Sequence, residues 1–291
     1  MKRSVFVFKL LLVFLVACQP NKETPVDEKN MLPKRKQPKS LVYELKNAKE
    51  WLLDSTLTDS EKELVFAINR TDKASFKRMD TVIVPVDRSG DKSCYFPFPV
   101  EVPYLKDIEK IVYFSYPTQA FAAYECGKLV HTGPTNMGRE NAQTPTGLFF
   151  TNWKAKKTIS TVNDEWELKW NFNILNKEGI GWHEYAMPGY PASHSCLRLV
   201  KEDAKYLYHW ADQWVLADRT TVQVKGTPVI VFGSYDFKAA KPWLQLVHDP
   251  HVLDISEDEI EEITEPFLNE ILIEQENKEN FKFENTYGKS S

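Results

Sequence analysis

A chain of 291 residues with 13% aromatic and 27% charged residues has room for one compact domain plus appendages or two small ones, and its composition excludes a wholly disordered protein. The net charge of −4, with no basic stripe carrying interleaved aromatics, excludes the electrostatic footprint of a nucleic-acid binder. No nucleic-acid partner is expected.

At the N-terminus, Lys2 and Arg3 precede an apolar run over residues 5–16. The run has the length of a signal-peptide core and is too short to span a bilayer, so residues 1–17 are expected to be an export signal. It ends in Leu15-Val16-Ala17-Cys18, followed by the polar Gln19-Pro20-Asn21-Lys22. This resembles the lipobox of bacterial lipoproteins, with Cys18 as the lipidated first residue of the mature chain; the alternative is an ordinary cleaved signal with an incidental cysteine. The resemblance implies a protein of the cell envelope or periplasm, held to a membrane through an N-terminal lipid anchor. Each buried CH₂ contributes about 0.8 kcal/mol, and several acyl chains on one residue anchor firmly where one alone is marginal. Residues 18–40 are rich in Lys, Glu and Pro and read as a flexible tether.

Residues 41–108 read as a small α/β region. Leu41, Leu45, Ala48 and Leu52 recur at helical spacing, which predicts a helix over residues 41–53. Thr58-Asp59-Ser60-Glu61 is a capping-box pattern that opens a second helix toward Ala67. The piece from Val65 to Arg70, followed by Thr81-Val82-Ile83-Val84-Pro85, faintly resembles the second half of a lysin motif, but its plainer reading is a helix followed by a Val/Ile strand packed under the main domain.

From Lys110 the periodicity becomes that of strands: Ile111-Val112-Tyr113-Phe114, then residues 120–124, a turn at Glu125-Cys126-Gly127-Lys128, and Leu129-Val130-His131. Further β-like runs cover residues 147–153, 166–174, 221–224 and 228–232. The body over residues 109–235 is therefore expected to be mainly β and antiparallel, interrupted by one principal helix over residues 201–215 whose face carries Ala204, Leu207, Tyr208 and Ala211. Residues 236–291 form an acidic extension with two short amphipathic helices, residues 257–263 and 267–274, and a frayed tail. Cys94 and Cys126 are candidates for a disulfide in an oxidising compartment.

The chemistry is concentrated in residues 181–199, GWHEYAMPGYPASHSCLRL. A thiol needs a base within hydrogen-bond reach to act as a nucleophile, and this segment places Cys196 beside His183 and His194 on Gly- and Pro-punctuated backbone. An isolated thiol has a pKa of about 8.5, and lowering it to about 7 takes roughly 2 kcal/mol, which a neighbouring imidazole can supply. His194 and Arg198 lie two residues either side of Cys196 and share its face if the segment is extended. A metal site from His183, His194, Cys196 and His209 is the weaker alternative, because no paired CxxC or HExxH ligands occur. No metal and no cofactor is expected.

With its flanks, Cys196 sits in SHSCLRL, which resembles the SHGC-hydrophobic-R signature of the bacterial L,D-transpeptidases, cysteine enzymes that cross-link peptidoglycan independently of penicillin-binding proteins. Upstream, IVYFSYPTQAFAAYECGKLVHTGPTN resembles that family's first hairpin and TG segment, and TPTGLFF, from Thr144, its TPxG motif. The resemblance implies a sandwich-like β catalytic domain that acts on peptidoglycan stem peptides. It assigns Cys196 as nucleophile and His183 as base, with His194 as the alternative base or a pocket wall. Arg198 is assigned to substrate binding or loop bracing, Ser193 to bracing, and Thr144, Thr146 and Gly147 to the cleft floor. The backbone N–H of Cys196 is the expected oxyanion donor. The chain departs from the family pattern at Ser195, where a glycine is usual and a positive φ would strain a side chain, and at Glu184, which leaves the group orienting His183 unnamed. The resemblance leaves open transfer to another stem, transfer to a protein amine, hydrolysis, and an inactive wall-binding lipoprotein.

Overall fold

The computed structural model describes residues 35–160 and 164–287; the apolar run, Cys18 and residues 18–34 of the expected tether lie outside them. From Lys36 onward the chain forms one compact unit. It opens with β1 (Tyr43–Asn47), α1 (Ala48–Leu52), α2 (Asp59–Ile68), α3 (Lys73–Phe76) and β2 (Thr81–Pro85). The helix expected over residues 41–53 is thus a strand for its first half. Backbone pairing with β2, from Tyr43↔Pro85 to Asn47↔Thr81, overrides the spacing, and Leu45, which the helical pattern would bury, is 48% exposed. Asn47 marks the true start of α1, its Oδ1 accepting from the N–H groups of Lys49 and Glu50. The capping box forms as its sequence predicts: Glu61 N–H donates to Thr58 Oγ1 and Thr58 N–H to the Glu61 carboxylate.

The main body follows with β3 (Lys110–Ser115), β4 (Ala120–Glu125), β5 (Lys128–Pro134), β6 (Gly147–Phe150), β7 (Lys154–Ile159), β8 (Glu167–Leu175), β9 (Ile180–Glu184), β10 (Leu197–Leu199), α4 (Lys201–Trp210), β11 (Val215–Leu216), β12 (Val222–Val224) and β13 (Pro228–Phe232). One sheet has the order β5-β4-β3-β13-β6 and another β10-β9-β8-β7. The body is mainly β, but two pairs are parallel, β13 with β3 and β10 with β9. The expectation of a wholly antiparallel body is corrected there. Parallel neighbours need a crossover, and for β9 and β10 it is residues 185–196, the segment that carries the candidate site.

Period-two alternation distributes the five-stranded sheet over two cores. Val112, Phe114, Phe121 and Val231 face Phe172, Trp182, Leu197 and Leu199 of the second sheet, with Ala204 and Leu207 of α4 filling the space beside them. Ile111, Tyr113, Ala122 and Ile230 face the opposite way, onto Phe96, Phe98 and the C-terminal helices. Burial on both faces explains why β3 and β4 read as unbroken apolar runs rather than alternating ones.

α4 stops at Trp210, five residues before the expected end of the helix, because Ala211 turns extended and Asp212 N–H is taken by Thr227 Oγ1. Beyond β13 come α5 (Glu257–Thr264) and α6 (Leu268–Tyr287). The expected frayed tail is helical: Gln275 accepts Glu109 N–H and donates to Asp107 O, while Lys278 pairs with both Glu109 and Asp212. The candidate disulfide does not form among the described residues. Cys94 and Cys126 are separate thiols, Cys126 lying exposed in the β4–β5 turn. Among the described residues no helix is long and apolar enough to cross a membrane.

Candidate active site

The register of β10 on β9 builds the site. Leu197 lies opposite Trp182, Arg198 opposite His183 and Leu199 opposite Glu184. Trp182, Leu197 and Leu199 are fully buried in the core, so alternation sends His183 and Arg198 to the other face, where Cys196 joins them one residue before β10. Gly181 lies beneath the sulfur. A Cβ there would come 2.2 Å from Phe172 O, so a glycine is required for β8 and β9 to approach, and its backbone N–H is left to stabilise a sulfur anion.

His183 is 4% exposed. Its Nδ1 donates to Glu184 O at 3.0 Å, and this fixes the tautomer: Nε2 carries the lone pair and is the basic atom. The carbonyl of Glu184, not a side chain, is therefore the orienting group that the sequence left unnamed. Burial, reinforced by the charge of Arg198, lowers the His183 pKa to about 4 against the opposing pull of that hydrogen bond. Burial pushes the Cys196 thiol up, while the Gly181 N–H and the Arg198 charge pull it down without cancelling the effect. The expected lowering of the thiol pKa is thus reversed. At neutral pH His183 is therefore a neutral imidazole and Cys196 a thiol, its Sγ 4.0 Å from Gly179 O.

Arg198 lays its guanidinium over the Tyr185 ring, Cζ 4.6 Å from the centroid, and its Nη1 donates to Ala186 O at 3.4 Å. The same Tyr185 ring meets His183 edge-on at 5.6 Å. Trp166 closes this wall, 5.1 Å from the His194 ring. His194 Nδ1 is buried without a hydrogen-bond partner, and burial together with the charges of Arg139 and Arg198 lowers its pKa. Tyr185 and Trp166 escaped the sequence reading. Both flank the motif residues in aromatic-rich stretches, which was the available signal.

The turn before Cys196 is tied down from below. Ser193 Oγ donates to Cys196 O at 2.5 Å. Ser195 has φ +77, the left-handed backbone that a glycine would adopt without strain. Its carbonyl accepts from Thr144 Oγ1 at 2.9 Å and its Oγ donates to Ala142 O at 3.2 Å. Thr144 is buried and also accepts Gly138 N–H, so it braces the turn from beneath. Thr146 is exposed, and Gly147, at φ +124, has open space where a Cβ would stand. His209 packs against Trp170 and Tyr208 on α4, and among the described residues no group of three or more His, Cys, Asp or Glu is placed to hold a metal.

The crossover itself docks on the N-terminal region. Asp72 N–H donates to Met187 O, and Met187 N–H donates back to Asp72 Oδ2 at 2.7 Å. Thr71 Oγ1 also donates to Met187 O. Asn136 bonds the backbone of Arg198 in both directions, accepts Gly189 N–H on its side chain and donates to Arg70 O.

Comparison with known proteins bears on the same segment. The model of the YkuD family, the L,D-transpeptidase catalytic domain, matches residues 109–231. No curated protein matches. Among solved structures, the chain is similar to an L,D-transpeptidase (Yku) from Stackebrandtia nassauensis, with 24% identity and a TM-score of 0.36 over 43% of this chain and 56% of that one. It is also similar to an L,D-transpeptidase from Mycobacterium smegmatis, with 18% identity and a TM-score of 0.34 over 43% and 59%. One from Mycobacterium tuberculosis H37Rv gives 22% identity and a TM-score of 0.35 over 43% and 58%. The match thus spans little more than half the length of these relatives. Residues 109–231, the stretch that holds His183 and Cys196, are thus the part of the chain that matches the model of the L,D-transpeptidase catalytic domain.

Proposed function

We propose that this protein is a peptidoglycan L,D-transpeptidase working through a thioester on Cys196. The observation that carries the reading is the β9–β10 register, which sets His183, Cys196 and Arg198 on one face, with the tautomer of His183 fixed so that Nε2 is free to take a proton. In the first half-reaction Cys196 Sγ gives its proton to Nε2 as the sulfur attacks the carbonyl carbon of the third, diamino-acid residue of a tetrapeptide stem. The Cys196 N–H donates to the developing oxyanion. The peptide C–N bond breaks, the proton on His183 goes to the departing nitrogen, and D-alanine leaves. In the second half-reaction an amine of another stem loses a proton to His183 and attacks the thioester. The new C–N bond forms, the C–S bond breaks, and sulfur recovers the proton; the product is a 3–3 cross-link. Water in place of the amine gives L,D-carboxypeptidase activity.

Arg198 supplies a fixed positive charge and a planar fork, complementary to a stem carboxylate, while Tyr185 and Trp166 offer the apolar wall. The export signal and lipobox pattern support a lipid-anchored place in the cell envelope, with Cys18 as the anchor. Incubation of the full chain with disaccharide-tetrapeptide tests the chemistry: D-alanine and either dimer or tripeptide are expected, and are lost in Cys196→Ala and His183→Gln. Equal product from wild type and Cys196→Ala overturns it.

A further inference from the structure

A cavity of about 510 Å³ lies between the start of β1, residues 93–100 and the C-terminal extension. Sites that enclose drug-sized ligands run from about 300 to 1,000 Å³. Every residue that lines it falls outside residues 109–231, so neither His183, Cys196 nor Arg198 is among them. Most of the wall is apolar: Tyr43, Phe96, Phe98, Leu246 and Ile255 line it, and each is at most 6% exposed. One buried cation belongs to the same lining, Arg70, at 1% exposure.

Arg70 carries its charge without a counter-ion. Its Nε donates to Thr118 O at 2.9 Å and its Nη1 to Ile68 O at 2.6 Å, while the rings of Phe96 and Trp243 lie 4.9 and 5.3 Å from Cζ. Among the described residues Nη2 has no hydrogen-bond partner and the side chain forms no ion pair. Burial lowers its pKa to about 9, which leaves it charged at neutral pH, and the other group acting on it is Tyr43, not a carboxylate. The Tyr43 hydroxyl also lacks a hydrogen bond among the described residues. Burial raises its pKa, against the pull of Arg70, so it stays protonated and able to donate. Two carboxylates do line the cavity, Asp254 and Glu257, but both are exposed, and Asp254 pairs with His251 at 2.6 Å. A buried charge is costly unless it is paired, and here a guanidinium nitrogen and a hydroxyl are both left over in one lining.

We propose that this cavity is a binding site for a small organic carboxylate with an aromatic or alkyl body, its carboxylate held by Arg70 and the Tyr43 hydroxyl and its body packed on Phe96, Phe98 and Leu246. A carboxylate supplies the missing charge and the missing acceptors together, and the planar guanidinium is shaped for it. An inorganic anion would meet the charge but leave the apolar walls unfilled. The exposed Asp254 and Glu257 repel a second negative charge, which favours a singly charged ligand over a dianion. The site takes no part in the thioester chemistry and stands or falls separately from it.

Calorimetric titration of the full chain with 4-phenylbutyrate tests it, with 4-phenylbutyramide as the uncharged counterpart and inorganic phosphate as the anion without a body. The carboxylate should bind saturably, and the Kd of the amide and of phosphate should each be at least about tenfold higher, the loss expected of a hydrogen bond to a charged group or of the apolar contact. Tyr43→Phe keeps the ring and removes the hydroxyl, and should raise the Kd of 4-phenylbutyrate about three- to tenfold. Ser93→Trp puts a large ring into the cavity from a half-buried position in its lining and should abolish binding. Thermal melting verifies that both variants fold, and Arg70 itself is left intact because its bonds to Thr118 and Ile68 also hold the fold. Absence of saturable 4-phenylbutyrate binding, an equal Kd for the amide or for phosphate, or an unchanged Kd in either variant overturns the proposal. A ligand bound instead at Arg198 would ignore both substitutions, and so counts against it.

Discussion

His183 and Cys196 differ from an ion-paired cysteine site in a way that kinetics can read. With the imidazole pKa at about 4 and the thiol pushed up, the proposed mechanism starts from a neutral thiol and a neutral imidazole, present wherever His183 is unprotonated. The rate of Cys196 acylation by a carbapenem should therefore rise as pH climbs through about 4 and stay flat from about pH 5 to 8, with no limb near the pKa of about 6.5 of a free imidazole. Arg198→Gln should move the acid limb upward, because the lost positive charge was opposing protonation of His183; stopped-flow measurement of acylation across pH checks both. Beside Cys196, Ser195 holds φ +77, where a Cβ costs about 1 kcal/mol. The Oγ bond to Ala142 O returns a similar amount. Ser195→Gly trades that bond for relief of strain and should stay within about 1 kcal/mol of wild type in urea unfolding. Ser195→Ala keeps the strain, loses the bond and should be the less stable of the two, although alanine is nearer to serine in size.

At the scale of elements, the parallel β9–β10 pair depends on a crossover with no regular structure of its own. Among the residues that hold it is Asp72, whose Oδ1 caps α3 through Ser75 N–H and whose Oδ2 takes Met187 N–H, both at 2.7 Å. Asp72→Ala removes a cap worth about 1 kcal/mol and a charge-assisted bond worth about as much. The expected cost is about 2 kcal/mol in urea unfolding, accompanied by slower acylation of Cys196 because the crossover sets where the sulfur sits. The same element shows how far the sequence could be read. Cys196, His183 and Arg198 lie within one short stretch, so their grouping on one face is legible there, as are the capping box of α2 and the apolar runs of β3 and β4. Asp72 was not legible as part of the site, since it acts from 115 positions before Met187. The orienting group of His183 was not legible either, because it is a backbone carbonyl and no side-chain pattern announces it. β1 was misread because a strand partner 42 residues away at Pro85 outweighs the local spacing of four apolar residues.

For the molecule as a whole, the matched segment of residues 109–231 does not hold its core alone. Arg70, 1% exposed, donates to Thr118 O and Ile68 O and lies over the rings of Phe96 and Trp243, so one buried cation joins the N-terminal region, the β3–β4 turn and the C-terminal extension. Ile260 and Ile271 pack on the five-stranded sheet and Trp243 packs with Tyr43, Ile68 and Ile83 of the N-terminal region, all three at 0 to 2% exposure, so deleting residues 236–291 would open both cores. A chain ending at residue 235 should therefore aggregate or lose its cooperative melt, whereas the intact chain should melt in one transition by calorimetry. A gentler test targets Lys278, whose side chain is 14% exposed and pairs with Glu109 and Asp212. Burial alone would raise both carboxyl pKa values, but the hydrogen bond and charge of Lys278 outweigh it and hold them below their ordinary range. A carboxylate with a lowered pKa stabilises the folded state fully above its unfolded pKa of about 4 and loses that contribution as pH falls through the lowered value. Lys278→Met should accordingly cost about 1 to 2 kcal/mol at pH 7, discounted from a fully buried pair because both carboxylates are more than a third exposed. The difference from wild type should shrink as pH drops below about 4, and an equal difference at both pH values in urea unfolding would show that Lys278 acts through packing and not through charge.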